Sequence, residues 1–199
     1  KADALKCRYC GEFLDDAAAQ QVAALRAPLP EGMKVSVVIP VFNEAENIEA
    51  LFVEVKQALT GRFAFEVVFI DDGSKDATVE CLTMLSGTHP ELRIVRHAVN
   101  CGQSAATLSG VRAARAAWIA TLDGDGQNDP KDIPALFERA RQGASQQPPI
   151  AMIAGHRTRR KDTWRKRMAS RIANAVRARL LHDGTPDTGC GLKVFRRDV

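Results

Sequence analysis

The chain has 199 residues, 45% of them hydrophobic and 26% charged, with a net charge of +4; that is enough for one full domain core and too little for two complete domains. Its longest apolar runs fall far short of the ~20 residues that span a bilayer, so the sequence holds no membrane span. The charge is uneven: from His156 onward thirteen Lys/Arg face four Asp, which leaves an acidic to neutral body with a basic C-terminal quarter and points to an anionic partner on one side.

Residues 1–34 read as a separate segment. Cys7 and Cys10 form a Cys-x-x-Cys-Gly knuckle, which supplies half of a zinc ribbon where four ligands are needed. Zn2+ at Cys7 and Cys10 is therefore expected only if the missing half-site exists; the alternative is an accidental pair of free thiols. Cys81, Cys101 and Cys190 have no ligand spacing, and five irregularly spaced cysteines make no disulfide framework, which fits a reducing cytoplasm. An Ala/Gln-rich stretch and a breaker-rich linker then lead to Val35. The chain begins at Lys1, shows no signal-peptide pattern and stops directly after a strand, so the expectation is a fragment truncated at its C-terminus.

From Val35 onward, the patterns predict strands over 35–40, 65–71, 92–97, 118–123 and 150–155, alternating with helices over 44–59, 77–85, 104–117 and 131–141. Asn43 and Asp76 stand before two of the helices, and Gly184 stops a long basic helical pattern over 161–182. Continuous apolar strands mean burial on both faces. The expected fold is a Rossmann-like α/β domain over 35–199 with a mostly parallel central sheet, preceded by the zinc-ribbon-like remnant.

In such sheets ligands bind beyond the C-terminal ends of the strands, and three of the first four strands end in VIPVFNE, FIDDGS and TLDGDGQ. Carboxylates on one rim repel unless a cation or hydrogen-bond donors offset them. Asp123, Asp125 and Gln127 alternate in a glycine-loosened turn, an arrangement suited to a hard divalent cation that takes further ligands from a diphosphate. Asp-Gly is equally a common turn dipeptide, and Asp71–Ser74, Pro40–Glu44 and the Asn100–Ser104 turn each fit a plain strand end and helix start. What favours a site is that all four lie on one rim.

VSVVIPVFNEAENI, VVFIDDGSKDAT, the Asn100–Gly102 turn, LDGDGQNDP and DTGCGLKVFRR together resemble family 2 glycosyltransferases of the GT-A fold, in the branch of dolichol-phosphate mannosyltransferases and bacterial polyprenyl-phosphate glycosyltransferases. The resemblance covers about residues 35–199. It implies a nucleotide-sugar donor (GDP- or UDP-hexose), with Pro40, Asn43, Glu44 and Asp72 around the nucleoside and Asp123 near the donor sugar or ribose. Asp125 and Gln127 would ligate Mg2+ or Mn2+, and Arg157 would meet the acceptor phosphate. Where the dolichol branch typically shows Gly-Phe-Arg, this chain has Gly191-Leu192-Lys193, and an ammonium cannot clamp a phosphate bidentately.

An ionised lipid phosphate needs no general base before attacking the anomeric carbon; the protein must hold two anions close and stabilise the leaving nucleoside diphosphate. The basic 161–182 pattern, with Trp164 near its start, reads as an interfacial helix. Arg157, Lys166, Ser170, Arg171 and Lys193 are therefore expected on the acceptor phosphate, and the expected partners are a polyprenyl phosphate and the cytoplasmic face of the cell membrane. The alternative is a cytosolic transferase acting on a soluble or glycan hydroxyl, with Asp187 as its base. A zinc-knuckle nucleic-acid module is disfavoured, because the acidic rim would repel a polyanion. A nucleotidyltransferase lacks its Gly-rich, basic phosphate loop after the first strand.

Overall fold

The computed structural model describes residues 33–146, 150–155 and 190–197. Within them six strands form one sheet: β1 (Met33–Val41), β2 (Ala64–Asp71), β3 (Leu92–Arg96), β4 (Trp118–Thr121), β5 (Met152–Ala154) and β6 (Lys193–Arg196). The order is β3-β2-β1-β4-β6-β5. β1 to β4 pair in parallel, and β6 runs antiparallel between β4 and β5. The helices are α1 (Ile48–Leu59), α2 (Thr78–Thr88), α3 (Gln103–Ala113) and α4 (Ile133–Gly143). The mostly parallel α/β sheet expected from the continuous apolar runs is thus present. The Cys7/Cys10 knuckle and the basic 161–182 segment lie outside the described residues.

Strand alternation divides the core between two faces. Val35, Val37, Ile39 and Val41 of β1, with Val67 and Phe69 of β2, pack under α1 and α4 through Ile48, Phe52, Val55, Ile133 and Phe137. Phe52 and Phe69 are wholly buried, each contributing roughly 1.5–3 kcal/mol relative to exposure. On the opposite face Val38, Val68 and Ile70 meet Ala106 and Ala113 of α3. That helix is built from small residues so that it can lie close to the sheet: a Cβ on Gly110 would run into Val38 and Ile70 side chains.

A polar cluster is buried within this second layer. Ser36 and Glu66 sit opposite each other in β1 and β2, and Ser36 Oγ donates to Glu66 Oε1 at 2.6 Å. Arg93 pairs with Glu66 Oε2 at 2.6 Å. Glu66 Oε1 also accepts the Arg115 N–H at 2.6 Å, and Ser36 Oγ accepts the Ala116 N–H at 2.9 Å. This is why the helix predicted to reach residue 117 ends at Ala113: Glu66 and Ser36 capture amides that a continuing helix would bond internally.

Two other boundaries shift for local reasons. The first helix begins at Ile48 rather than Glu44, because Asn43 adopts a left-handed φ of 56° and its side chain serves the neighbouring loop instead of capping α1. A 3-10 turn (Pro130–Asp132) precedes α4, started by the Asp129 side chain, which accepts the Lys131 N–H at 3.0 Å.

Candidate active site

β1 leads to β2 on one side while β4 lies on its other side, so the chain reverses its direction of winding between β1 and β4. Pairing of β4 with β1 ends at Thr121 opposite Val38, whereas β1 runs on to Val41 beside β2. Register pairing between the two strands therefore stops at Val38, three residues before β1 ends, and the crevice beyond the C-terminal ends at such a reversal of strand order is the usual ligand position in sheets of this kind. Pro40 stands just past the last β4 pairing, where its missing N–H ends the ladder between the two strands. The chain leaving β4 crosses tightly: a Cβ on Gly124 would lie 2.8 Å from the Pro40 carbonyl oxygen and 2.6 Å from Val41 Cγ1.

The loops after β1 and β2 are stitched together. Asn43 N–H donates to Ser74 Oγ at 2.9 Å and Lys75 N–H donates to Asn43 Oδ1 at 2.8 Å. Glu44 N–H donates to Thr78 Oγ1 at 2.9 Å, and the Glu44 carboxylate accepts from Asn47 Nδ2 at 2.6 Å. Asp76 accepts the Thr78 hydroxyl and amide and the Ala45 amide. The Thr78 hydroxyl is the main cause, with backbone donors and against a smaller opposing effect of burial, of a carboxyl held below the ordinary aspartate range.

Asp71 and Asp72, adjacent and buried, are offset differently. Asp71 Oδ1 accepts the Ser74 N–H at 3.0 Å, and its Oδ2 lies 3.4 Å from Arg96 Nε as an ion pair without hydrogen-bond geometry. Asp72 Oδ1 takes His97 Nδ1 at 2.7 Å and the Cys101 N–H at 2.9 Å; its Oδ2 takes the Gly102 N–H at 2.8 Å. An ionised Asp72 only accepts, so His97 Nδ1 carries the proton, and His97 Nε2 meets Ser109 Oγ at 2.9 Å. Asp72 thus ties the end of β2 to the turn that opens α3, and the turn passes so close that a Cβ on Gly73 would lie 2.7 Å from Val99 and Asn100 backbone atoms.

After β4 the acidic turn divides its labour. Asp123 is half-buried and receives an amide on each oxygen: Gln103 Nε2 on Oδ1 at 2.7 Å and Asn128 Nδ2 on Oδ2 at 3.1 Å. Its carboxylate lies flat on Gly191, where a Cβ would overlap all three carboxylate atoms. Asn128 is itself held by Cys190 Sγ at 3.6 Å. Asp125 and Gln127 are exposed, and among the described residues the bond to Asp125 comes from the Gln127 N–H, at 3.0 Å. These two hard-oxygen groups, two residues apart on a turn with Gly126 at a φ of 69°, fit a divalent cation that keeps most of its other positions for water or phosphate.

Pro40, Asn43, Glu44, Asp72, Asp123, Asp125 and Gln127 therefore stand at one end of the sheet. Lys193 joins them, since β6 starts there: Lys193 pairs with Thr121 and Ala154, and Thr121 Oγ1 donates to the Gly191 carbonyl at 2.7 Å. Arg157, Lys166, Ser170 and Arg171 lie outside the described residues. Sequence reasoning passed over Gln103, Asn128, Cys190 and His97, whose weight comes from the side chains they hold. The signal for three of them was position, Gln103 in the Asn100–Ser104 turn, Asn128 in LDGDGQNDP and Cys190 in DTGCGLKVFRR; His97, at the end of the third predicted strand, carried none.

The family model for glycosyl transferase family 2 matches residues 36–199. Over 172 residues the chain is 34% identical to dodecaprenyl-phosphate galacturonate synthase of Rhizobium johnstonii, a match covering 85% of this chain and 49% of that protein. It is 37% identical over 170 residues to undecaprenyl-phosphate 4-deoxy-4-formamido-L-arabinose transferase of Pseudomonas aeruginosa, covering 83% and 48%. Among solved structures, a mannosyltransferase of Pyrobaculum calidifontis in complex with GDP-Man and Mn2+ superposes with a TM-score of 0.60 at 24% identity, over 92% of this chain and 51% of that one. Glucosyl-3-phosphoglycerate synthase of Mycobacterium tuberculosis, with Mn2+, UDP-Glc and phosphoglyceric acid, gives 0.66 at 21% identity, over 89% and 60%. The chain spans about half the length of the curated relatives it matches. With a reversal of strand order between β1 and β4, an acidic turn directly after β4 and a family match running from Ser36 to the last residue, this chain belongs to glycosyl transferase family 2.

Proposed function

We propose that the protein transfers a sugar, a hexose by the sequence reading, from a GDP- or UDP-sugar to a polyprenyl phosphate at the cytoplasmic face of the cell membrane. The observation that carries the reading is the match, at 34–37% identity, to transferases named for dodecaprenyl and undecaprenyl phosphate. Among the described residues no helix is long and apolar enough to cross a membrane, and the basic 161–182 segment is assigned the contact with the lipid surface.

In this reading Pro40, Asn43, Glu44 and the Asp72-bound turn shape the nucleoside side of the crevice, and Asp123 faces the donor sugar or ribose. Asp125 and Gln127 would hold Mg2+ or Mn2+, which when bound neutralises charge on the departing diphosphate. The acceptor phosphate is already ionised, so the chain's task is to bring its oxygen to the anomeric carbon and exclude competing water. Arg157 and Lys193, with Lys166, Ser170 and Arg171, offset the acceptor's charge; the pairing of Lys193 with Thr121, the last residue of β4, supports its part in this.

The test is to supply UDP- and GDP-sugars with polyprenyl phosphate in vesicles or with water-soluble hydroxyl acceptors, in Mg2+, Mn2+ or chelator. Transfer to the lipid phosphate that needs the cation, and that Asp125→Asn loses together with the metal dependence of nucleotide binding, supports the reading. Equal transfer to a soluble hydroxyl replaces it with a soluble-acceptor enzyme.

A further inference from the structure

We propose that Gln103 is a positioning residue for sugar transfer, acting through Asp123. The proposal rests on the transferase reading and goes beyond it, because Gln103 is given no role there. Gln103 is the first residue of α3, immediately after the Cys101 and Gly102 amides that Asp72 holds at 2.9 and 2.8 Å. Its side chain spans the crevice lip to Asp123 Oδ1 at 2.7 Å. It therefore links the two carboxylates that flank the crevice, one at the end of β2 and one at the end of β4.

Asp123 needs such a link. A carboxylate on a glycine-flanked turn can rotate about χ2, a broad two-fold torsion. Gly191 beneath it and Asn128 on Oδ2 restrain one side; Gln103 restrains the other. One amide on each oxygen fixes the carboxylate plane and leaves accepting capacity on both oxygens for a ligand hydroxyl. Glutamine suits the task because it donates a hydrogen bond without neutralising the carboxylate it holds.

Gln103 is exposed, so its replacement changes stability little, and a kinetic effect would not come from unfolding. In the intact protein, Gln103→Met keeps the length and removes the donor. The expected result is a fall in kcat/KM for the nucleotide-sugar of about tenfold or more, the equivalent of one hydrogen bond to a charged group, with KM for polyprenyl phosphate and the melting temperature unchanged. The loss should vanish when Gln103→Met is introduced into Asp123→Ala, which removes the acceptor altogether, because a residue acting through Asp123 then has nothing left to position. Wild-type kinetics in Gln103→Met, or an equal loss in both backgrounds, overturns the proposal alone. A wild-type protein that neither binds nucleoside diphosphate nor transfers sugar overturns the transferase reading, and this proposal falls with it.

Discussion

Replacing Gly191 with alanine tests how closely the Asp123 carboxylate depends on the chain beneath it. A Cβ at residue 191 would sit inside the van der Waals envelope of Asp123 Oδ1, Cγ and Oδ2, where ordinary contact begins at 3.4 Å. The carboxylate must then retreat by on the order of one ångström, and a misplacement of that size at a reacting centre costs about 10²-fold in rate. Retreat also strains the 2.7 Å bond from Gln103 and the 3.1 Å bond from Asn128, so the side chain loses direction as well as position. Gly191 is not among the positive-φ residues, so alanine meets no backbone penalty and the fold should survive. The assay is steady-state transfer from the nucleotide-sugar beside thermal denaturation: kcat/KM should drop about 10²-fold while the melting temperature moves by a few degrees. Activity within twofold of wild type would show that Asp123 tolerates displacement, and its role in positioning the donor would have to be abandoned.

Two further outcomes follow from the fold. Glu66→Ala strips Arg93 of its buried carboxylate and removes the acceptor used by the Ser36 hydroxyl and the Arg115 amide, so urea unfolding should report a loss of about 3–5 kcal/mol; a loss below about 1 kcal/mol would mean that water or a relaxed backbone replaces the network. Asp76 has a folded-state pKa below its unfolded value, so the stability its carboxylate contributes is present above the unfolded pKa and is lost as pH falls through the folded one. The advantage of wild type over Asp76→Asn in urea midpoint should therefore hold at neutral pH and shrink in acid, and an advantage that grows on acidification refutes the assignment.

Much of the fold was legible because burial on both faces leaves a mark on composition: β1 and β2 read as near-continuous Val, Ile and Phe, and the rim followed from where those runs stop. The helix ends were less legible, since periodicity cannot register a distant acceptor. Nothing local in Ala114–Ala117 announces that Glu66, 49 residues away, takes the Arg115 amide. Asn43 misled for a related reason. Its type suits a helix cap, but its side chain is used by Lys75 of the loop after β2, and the choice between those uses lies in the tertiary structure. The antiparallel insertion of β6 between β4 and β5 was hidden because a four-residue strand carries no sign of its direction.

The carboxylate rim could be located from sequence but not apportioned. Like charges on one edge need compensation, and the sequence leaves open which of them receive it from protein and which from a ligand. Asp71 is met by Ser74 and Arg96, Asp72 by His97 and two amides, and Asp123 by two side-chain amides. Asp125 faces solvent with the Gln127 amide of its own turn. Donors drawn from β3, α3 and the segment after β4 thus hold the buried carboxylates in place, and a cation added at the lip would meet its charged oxygen chiefly at Asp125. The same distribution makes Asp125→Asn tolerable to the fold, because no buried donor is orphaned by it, whereas removing the Asp72 carboxylate would leave His97 and the amides of Cys101 and Gly102 without their acceptor.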